Sequence, residues 1–281
     1  MKIARVRAAG KVFVGRIEGD HAVPIAHDPG APGADPLRRI LAEGIDPLSA
    51  PGIADSVAMA DCVLQSPMRE PQKVLGIGLN YADHARESGI EAPSAPVLFV
   101  KTPNSIIGPD EPIEWAATAS DQVDYEAELA VVIGRRARNV AHTDALSYVL
   151  GYTCCNDVSA RDAQFGDGQW IRGKSFDTFC PLGPWIVTAD EVPDPQDLKI
   201  RCLVNREALQ DSTTAEMIFG VAELISYLSR FMTLEPGDVI ATGTPFGVGF
   251  ARTPPIFLKH GDVVEVEIER VGTLRNTVRV G

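Results

Sequence analysis

Short apolar or alternating segments, bounded by glycine, proline or charged residues, recur along the whole chain and predict mainly β-strands. Tyr125–Ile133, Val97–Lys101 and Val263–Ile268 are clear examples, and Val239–Thr242 reads as a buried strand. Strands and helices do not alternate in the manner of βαβ units, so a doubly wound parallel sheet is not expected. The pattern predicts an α+β fold that is predominantly β.

Few segments have helical periodicity. Tyr81–Ser88 is predicted to be a short helix, with Asn80 as its N-cap and Gly89 as its C-cap. Thr213–Met232 is predicted to be the longest helix, because Thr213 and Glu216 have the spacing of a capping box and apolar residues then form one stripe.

Residues 1–70 differ in sequence pattern from the rest of the chain. Lys2–Val6 and Lys11–Ile17 alternate and predict two strands, and Pro36–Gly44 predicts a short helix. A boundary is expected near Pro67–Gln72, where two prolines bracket charged residues. We therefore expect a small N-terminal β-rich domain over 1–70 and a catalytic domain over 71–281.

The charge balance restricts the partners. The formal net charge is −12 and the pI is about 4.9, which disfavours binding to nucleic acid or to an anionic membrane surface. The five cysteines are odd in number and form no C-x-x-C pair, so a disulfide framework or a zinc ribbon is not expected. The first residues lack the apolar run of a signal peptide, and a cytoplasmic location is expected.

Three carboxylates form the strongest chemical signal. Glu126 and Glu128 are two residues apart in a predicted strand, so their side chains share a face while the intervening residues enter the core. Asp157 stands where the next predicted strand ends. Like charges this close need a compensating cation, and oxygen ligands suit Mg²⁺ or Mn²⁺ better than Zn²⁺. The alternative reading is a solvated strand face for the glutamates and a turn for the aspartate.

A second set of residues predicts acid–base chemistry. His84 and Glu87 lie three residues apart on the short predicted helix, where the carboxylate would orient the imidazole as a general base. Lys174 lies in the polar segment RGKSFDTF and could bind a carboxylate or stabilise an enolate. A surface ion pair and an exposed loop lysine are the ordinary alternatives.

Two glycine-containing segments resemble anion-binding loops. Residues 168–175, GQWIRGKS, match the phosphate-loop pattern letter for letter, but no apolar strand precedes them and two prolines follow. We therefore regard that match as chance. Thr242–Gly249 follows a predicted buried strand, and its backbone N–H groups could cradle an anionic oxygen.

With these residues identified, the chain resembles the fumarylacetoacetate hydrolase family over about residues 70–281. The resemblance rests on five motifs in the family's order: KVLGIGLNYADHARE, VDYEAELAVVIG, GYTCCNDVSARDAQ, GKSFDTFCPLGP and LEPGDVIATGTPFGVG. It implies layered mixed β-sheets, usually a homodimer, and Mg²⁺ or Mn²⁺ on Glu126, Glu128 and Asp157.

The resemblance also implies roles for individual residues. His84 and Glu87 match the family's water-activating pair, on a helix that acts as a lid, and Lys174 matches its catalytic lysine. Gln164 and Thr244 match positions that line the substrate pocket. Arg161 and Gly243, from the third and fifth motifs, are further expected substrate contacts. The N-terminal part resembles the short appendage of bacterial members.

The expected reaction is hydrolysis of the C–C bond of a 2,4-dioxo acid to pyruvate and a carboxylic acid. Oxaloacetate decarboxylation, and isomerisation or hydration of hydroxymuconate-type diacids, are alternatives because they use the same metal-stabilised enolate. A phosphate-loop nucleotide hydrolase and a catalytically silent β-rich binding module are alternatives of other classes.

Overall fold

The computed structural model describes residues 1–166 and 168–281, and its secondary structure is mainly β. The strands are, in chain order, β1 Lys2–Ala8, β2 Lys11–Glu18, β3 His21–His27, β4 Val57–Ala58, β5 Val63–Gln65, β6 Val74–Gly78, β7 Val97–Lys101, β8 Ile106–Ile107, β9 Ile113–Trp115, β10 Val123–Asp124, β11 Ala127–Ile133, β12 Val149–Asn156, β13 Ser159–Ala160, β14 Cys180–Thr188, β15 Lys199–Val204, β16 Glu207–Thr213, β17 Val239–Ala241, β18 Val263–Ile268 and β19 Gly272–Val280.

The helices are few and short, as the sequence predicts. The α-helices are α1 Pro36–Ala42, α2 Ala82–Ser88, α3 Arg161–Gly166, α4 Ile171–Lys174 and α5 Val221–Phe231. Short 3-10 turns lie at Met59–Asp61, Pro103–Ser105, His142–Tyr148, Ala189–Glu191, Thr214–Glu216 and Gly249–Ala251. No helix in the described ranges is both long and apolar enough to cross a bilayer.

Mixed β-sheets make up most of the fold. A 12-stranded sheet has the order β4-β3-β2-β1-β14-β12-β11-β17-β6-β7, with β5 and β8 paired beside it. A 5-stranded sheet has the order β16-β15-β18-β19-β9, and β10 pairs with β13. The pairs β17–β6 and β19–β9 are parallel, whereas β11–β12 and β11–β17 are antiparallel. The predicted α+β fold with mixed sheets and few helices is confirmed.

The central strand β11 is buried along its whole length because both faces of the large sheet are covered. Leu129 and Val131 join the core shared with the 5-stranded sheet and α5, and Ala130 and Val132 join the core beneath α1. Burying each large side chain stabilises the fold by roughly 1.5–3 kcal/mol. Polar side chains on β11 therefore face a dry interior.

The N-terminal strands extend the large sheet. β1 pairs with β14 through Lys2 opposite Val187 and Ile3 opposite Ile186, and β2 and β3 follow on its other side. The predicted strands and the helix near residue 40 are all present. The division into a 1–70 domain and a 71–281 domain stays a prediction.

Two helix-start predictions are wrong, one at Asn80 and one at Thr213, and Asn80 makes contacts near both helix starts. It does not cap α2, which begins after Tyr81, because its side chain bonds the carbonyl oxygens of Phe219 and Thr242 and the N–H of Phe219. The N–H of Ile218 also donates to the Asn80 carbonyl at 2.7 Å. These bonds hold Ile218 and Phe219 against Asn80 in a non-helical backbone conformation.

The predicted helix Thr213–Met232 is also shorter in the structure, because Thr213 pairs with Lys199 in the β15–β16 ladder. Thr213 ends β16 and accepts a hydrogen bond from the N–H of Ala215 rather than forming a capping box with Glu216. The helix begins only at Val221. The apolar stripe of α5 packs into the core as predicted, with Val221, Leu224, Ile225 and Leu228 buried.

Candidate functional site

Three buried carboxylates meet where β11 and β12 lie side by side. Glu126 immediately precedes β11, Glu128 is its second residue, and Asp157 follows β12. The N–H of Asp157 donates to the carbonyl of Glu126 at 2.9 Å, which brings the two strand ends together. One carboxylate oxygen from each residue lies within 4.8 Å of the others. The three residues predicted to hold a metal are thus adjacent.

The three carboxyl groups have unequal electrostatic surroundings. Burial raises the pKa of Glu128 well above its ordinary value of 4.5, and the charges of Asp157 and Glu126 raise it further. Burial alone would also raise the pKa of Glu126, but the cations Lys174 and Arg161 hold it below its ordinary range. Glu128 is therefore the carboxyl most in need of an additional positive charge.

Lys174 points into this cluster and is buried. Its Nζ donates to Glu126 Oε2 and to Asp157 Oδ2, both at 2.7 Å. Burial lowers the pKa of Lys174, but the Asp157 and Glu126 carboxylates more than offset it, so the pKa is raised overall. The lysine is charged and held among the carboxylates rather than exposed in a loop.

Arg161 forms a second cationic contact and is fixed by Asp124, which sequence reasoning missed. Arg161 Nη2 lies 2.6 Å from Glu126 Oε1 and 2.7 Å from Asp124 Oδ2, and Nε donates to the same Asp124 oxygen. Burial lowers the pKa of Arg161, but Glu126 and Asp124 raise it overall. The arginine therefore contacts a carboxylate of the triad directly.

Lys101, at the end of β7, is a further missed residue and is fully buried. Its Nζ donates to Asp157 Oδ1 at 2.6 Å, to the Val158 carbonyl at 3.3 Å and to the Lys174 carbonyl. Asp157 is thus held by one lysine on each oxygen. A lysine closing the apolar strand VLFVK was the sequence signal that could have indicated it.

The charge count of this cluster suits a divalent cation. The buried carboxylates are Asp124, Glu126, Glu128 and Asp157, and the buried cations are Lys101, Arg161 and Lys174, which gives one net formal negative charge. Within the described residues Glu128 has no ion-pair partner and accepts a hydrogen bond from the N–H of Gly243 at 3.0 Å. A divalent cation would leave one net positive charge, which an anionic substrate would neutralise. The three oxygen donors therefore fit Mg²⁺ or Mn²⁺.

His84 and Glu87 lie on α2 and line the same cavity as Glu126 and Glu128. His84 Nδ1 is 3.3 Å from Glu87 Oε2, and the two side chains are 7% and 20% exposed. His84 Nε2 has no hydrogen-bond partner among the described residues. This geometry holds the imidazole by one nitrogen and leaves the other for chemistry.

The glycine-rich loop binds anionic oxygens, and these oxygens belong to the protein itself. The N–H of Gly243 donates to Glu128, and the N–H of Gly247 lies 3.0 Å from both oxygens of Glu87. The N–H groups of Gly249 and Phe250 donate to the two oxygens of Asp124 at 2.8 and 3.1 Å. One loop therefore orients three carboxylates, of which Glu87 and Glu128 line the cavity.

The cavity has a volume of about 340 Å³. Among the residues predicted to form the site, its lining comprises His84, Glu87, Glu126, Glu128, Arg161, Gln164, Lys174 and Thr244. Gln164 Oε1 accepts from Arg161 Nη1 at 2.9 Å, which turns its amide nitrogen away from Arg161. Thr244 Oγ1 donates to the Ala127 carbonyl and accepts from Gln210. Gly243 and Asp157 lie behind the lining, and the substrate contacts stay predictions.

The structural context of the phosphate-loop match differs from that of a true phosphate loop, as the surrounding sequence indicates. The segment 168–175 follows helix α3 rather than a strand, and within it α4 spans Ile171–Lys174. The lysine that would meet phosphate is paired with Glu126 and Asp157. Among the described residues around this segment, the strand–loop–helix arrangement of phosphate-loop enzymes is not found.

Comparison with known proteins identifies the family. A model of the fumarylacetoacetate (FAA) hydrolase C-terminal region matches residues 73–279. The chain belongs to the fumarylacetoacetate hydrolase family. Enzymes of this family typically use a divalent metal, and the buried Glu126–Glu128–Asp157 triad is where this chain would hold one.

Individual relatives within the fumarylacetoacetate hydrolase family carry different activity names. A mitochondrial protein of Bos taurus named oxaloacetate tautomerase FAHD2A is 51% identical over 215 residues, 76% of this chain and 68% of the relative. The solved fumarylacetoacetate hydrolase from Exiguobacterium antarcticum is 41% identical with a TM-score of 0.85, and the solved 5-carboxymethyl-2-hydroxymuconate delta-isomerase from Mycobacterium smegmatis is 40% identical with a TM-score of 0.83. Both cover 100% of each chain.

Proposed function

We propose that this fumarylacetoacetate hydrolase family enzyme is a divalent-metal-dependent tautomerase that interconverts the enol and keto forms of a 2-oxo acid, with oxaloacetate as the first substrate to test. The observation that carries the proposal is the shared cavity, which is lined by the His84–Glu87 pair and by Glu126 and Glu128 of the carboxylate triad, with Asp157 behind them. The 51% identity to a relative named oxaloacetate tautomerase supports the choice of substrate.

The proposed reaction moves one proton. When bound by Glu126, Glu128 and Asp157, Mg²⁺ or Mn²⁺ would supply Lewis-acid stabilisation of negative charge on the substrate oxygens. In ketonisation His84 Nε2 gives a proton to C-3 as the enol O–H proton is released; in enolisation His84 takes a proton from C-3 and the 2-oxo oxygen gains one. Glu87 stabilises the imidazole through Nδ1.

The cationic side chains stabilise the negative charge that develops on the substrate. The Lys174 ammonium lies beside two of the three triad carboxylates, where it can stabilise charge on the enolate oxygen. Arg161 and the Gln164 amide lie on the same wall and would bind the substrate carboxylate.

Hydrolysis of a 2,4-dioxo acid, the reaction expected from the sequence, is a second candidate. The His84–Glu87 pair is equally suited to activating a water molecule, and the Exiguobacterium relative is named fumarylacetoacetate hydrolase. Oxaloacetate decarboxylation needs no water and would release pyruvate from the same enolate. Homodimeric assembly remains a proposal from the family resemblance.

A substrate panel separates these reactions. Enol oxaloacetate decay is followed by ultraviolet absorbance with Mg²⁺ or with EDTA, and pyruvate release from oxaloacetate and from acylpyruvates is followed with a coupled dehydrogenase. The proposal expects metal-dependent acceleration of enol decay above the buffer rate, without matching pyruvate release. Pyruvate released from acylpyruvates alone would favour hydrolysis, and pyruvate from oxaloacetate would favour decarboxylation.

The matched variants are His84→Asn and His142→Asn. His84 is buried in the cavity wall, whereas His142 is exposed in the 3-10 turn His142–Tyr148. His84→Asn should lower the rate of tautomerisation by about 10²–10⁴-fold, the usual contribution of a general base. His142→Asn should leave it unchanged. An unchanged rate in His84→Asn would contradict the assignment of the base.

A further inference from the structure

The charged groups of the cavity form one connected cluster. Among the described lining residues, the titratable side chains are His84, Glu87, Glu126, Glu128, Arg161 and Lys174. Arg161 and Lys174 are the only lining residues within that described set with a permanent positive charge, and both contact Glu126 directly. Within this lining, permanent positive charge for a substrate carboxylate is therefore found at this charged end.

The remaining wall is apolar and largely aromatic. Phe99 and Trp170 form one ring pair with centroids 5.6 Å apart, and Phe165 and Phe250 form another at 5.8 Å. Ile77 and Ile90 complete this wall. We call these six residues the apolar wall. An apolar group fits it better than a second carboxylate, which would lose its hydration without gaining a cation.

The two sets of residues are continuous. The Arg161 guanidinium lies 4.3 Å from the centre of the Phe250 ring, and Lys174 Nζ lies 5.0 Å from the centre of the Phe99 ring. A substrate whose carboxylate lies near these cations would therefore place its next atoms against aromatic faces. The apolar wall is part of the same substrate site.

The rim of the cavity carries apolar side chains that the fold does not cover. Phe165 is 57% exposed and Ile90 is 47% exposed, and both line the cavity. Large apolar side chains clustered at the mouth of a cavity commonly mark a ligand-binding surface. The cavity volume of about 340 Å³ also exceeds the roughly 150 Å³ of an engineered cavity that binds benzene.

We propose that the enzyme also tautomerises 2-oxo acids that carry an aryl-sized apolar substituent on C-3, with that substituent bound by the apolar wall. This inference rests on the proposed function, because the carboxylate and 2-oxo group use the same charged end. The net reaction is again the shift of one proton from oxygen to carbon: the enol O–H proton is released as C-3 gains a proton from His84, and the released proton restores the protonated His84. No bond between carbon atoms breaks, and no oxidant or reductant is needed.

The test compares two enols in one enzyme. The rate constants kcat/KM for ketonisation of enol phenylpyruvate and enol oxaloacetate are measured with Mg²⁺, each corrected for the buffer rate. In the wild type both are accelerated. Phe165→Ser should lower the ratio of the phenylpyruvate value to the oxaloacetate value by about tenfold, because only the aryl group packs on Phe165.

Phe231→Ser is the matched control. Phe231 lies at the end of α5, is 64% exposed and does not line the cavity, so the ratio should stay at the wild-type value. Catalysed ketonisation of oxaloacetate without that of phenylpyruvate would overturn this inference and leave the proposed function standing. An unchanged ratio in Phe165→Ser would also overturn it. Failure with both enols would overturn both proposals.

Discussion

Replacing Lys101 with methionine should both destabilise the protein and weaken metal binding. Methionine keeps the length of the side chain but removes a charge whose Nζ lies 2.6 Å from Asp157 Oδ1, with both side chains 0% exposed. Removal of one partner of a buried ion pair typically costs roughly 3–5 kcal/mol. Lys174 still contacts the other Asp157 oxygen at 2.7 Å, so the expected loss lies at the lower end, about 3 kcal/mol.

The effect on metal binding follows from the orientation of Asp157. With one oxygen no longer fixed by Lys101, the carboxylate can rotate, and the backbone of α4 loses its bond at the Lys174 carbonyl. Loss of a residue that orients a metal ligand usually lowers affinity about 10–100-fold. Guanidinium unfolding with EDTA measures the stability change, and isothermal titration of Mn²⁺ measures the affinity.

Lys73→Met separates the two effects. Lys73 Nζ lies 2.6 Å from the fully buried Asp238 carboxylate, so this variant also removes a lysine from a buried aspartate. The pair lies outside the metal-binding cluster, and the variant should lose stability without losing Mn²⁺ affinity. A folded Lys101→Met protein that binds Mn²⁺ within about twofold of the wild type would refute the positioning argument, which expects about 10–100-fold.

Three other predictions concern the carboxylates and the loop that holds them. Because the pKa of Glu128 is raised in the folded state, its contribution to metal-free stability is fully present below about pH 4.5 and is lost as the pH rises through the folded-state pKa. Thermal unfolding in EDTA should therefore depend less on pH in Glu128→Gln than in the wild type, and an unchanged pH profile would contradict this. Mg²⁺ or Mn²⁺ at about 100 times its Kd should raise the free energy of unfolding by about 2.7 kcal/mol, and calorimetry should show no such rise for Glu126→Gln. Gly247→Ala should destabilise the protein far more than Gly261→Ala in denaturant titrations. Both glycines have φ above +90°, but only at Gly247 would the added Cβ lie 2.2 Å from the Leu209 carbonyl oxygen, so equal losses of unfolding free energy would argue against a steric cause.

The sequence was sufficient to predict the Glu126–Glu128 pair because its geometry is local, whereas the position of Asp157 beside the pair depends on the pairing of β11 with β12. The alternation of side chains along a strand places Glu126 and Glu128 on one face, and the prediction that the alternate residues enter the core agrees with the buried Ala127 and Leu129. The spacing of His84 and Glu87 likewise depends only on the helix that carries them. Their meeting in one cavity was implied by the family resemblance.

Contacts between distant segments could not be predicted in the same way. Lys101 is 56 residues from Asp157, and Asp124 is 37 residues from Arg161, so only the tertiary fold determines these pairs. The late start of the helix predicted from Thr213 also involves distant contacts, since Asn80 accepts a hydrogen bond from the Phe219 N–H, 139 residues away. Local capping preferences of about 1 kcal/mol are too weak to resist such buried hydrogen bonds.

The loop over residues 243–250 gives the site an unusual kind of mutational tolerance. Its donors to Glu87, Glu128 and Asp124 are peptide N–H groups, which every residue except proline possesses. Exchange of a loop side chain therefore cannot delete these bonds unless it alters the backbone path, and the path depends on glycines such as Gly243 and Gly247 with φ of 97° and 95°. Evolution could thus vary the substrate-facing residues of this loop while keeping the catalytic charges in place.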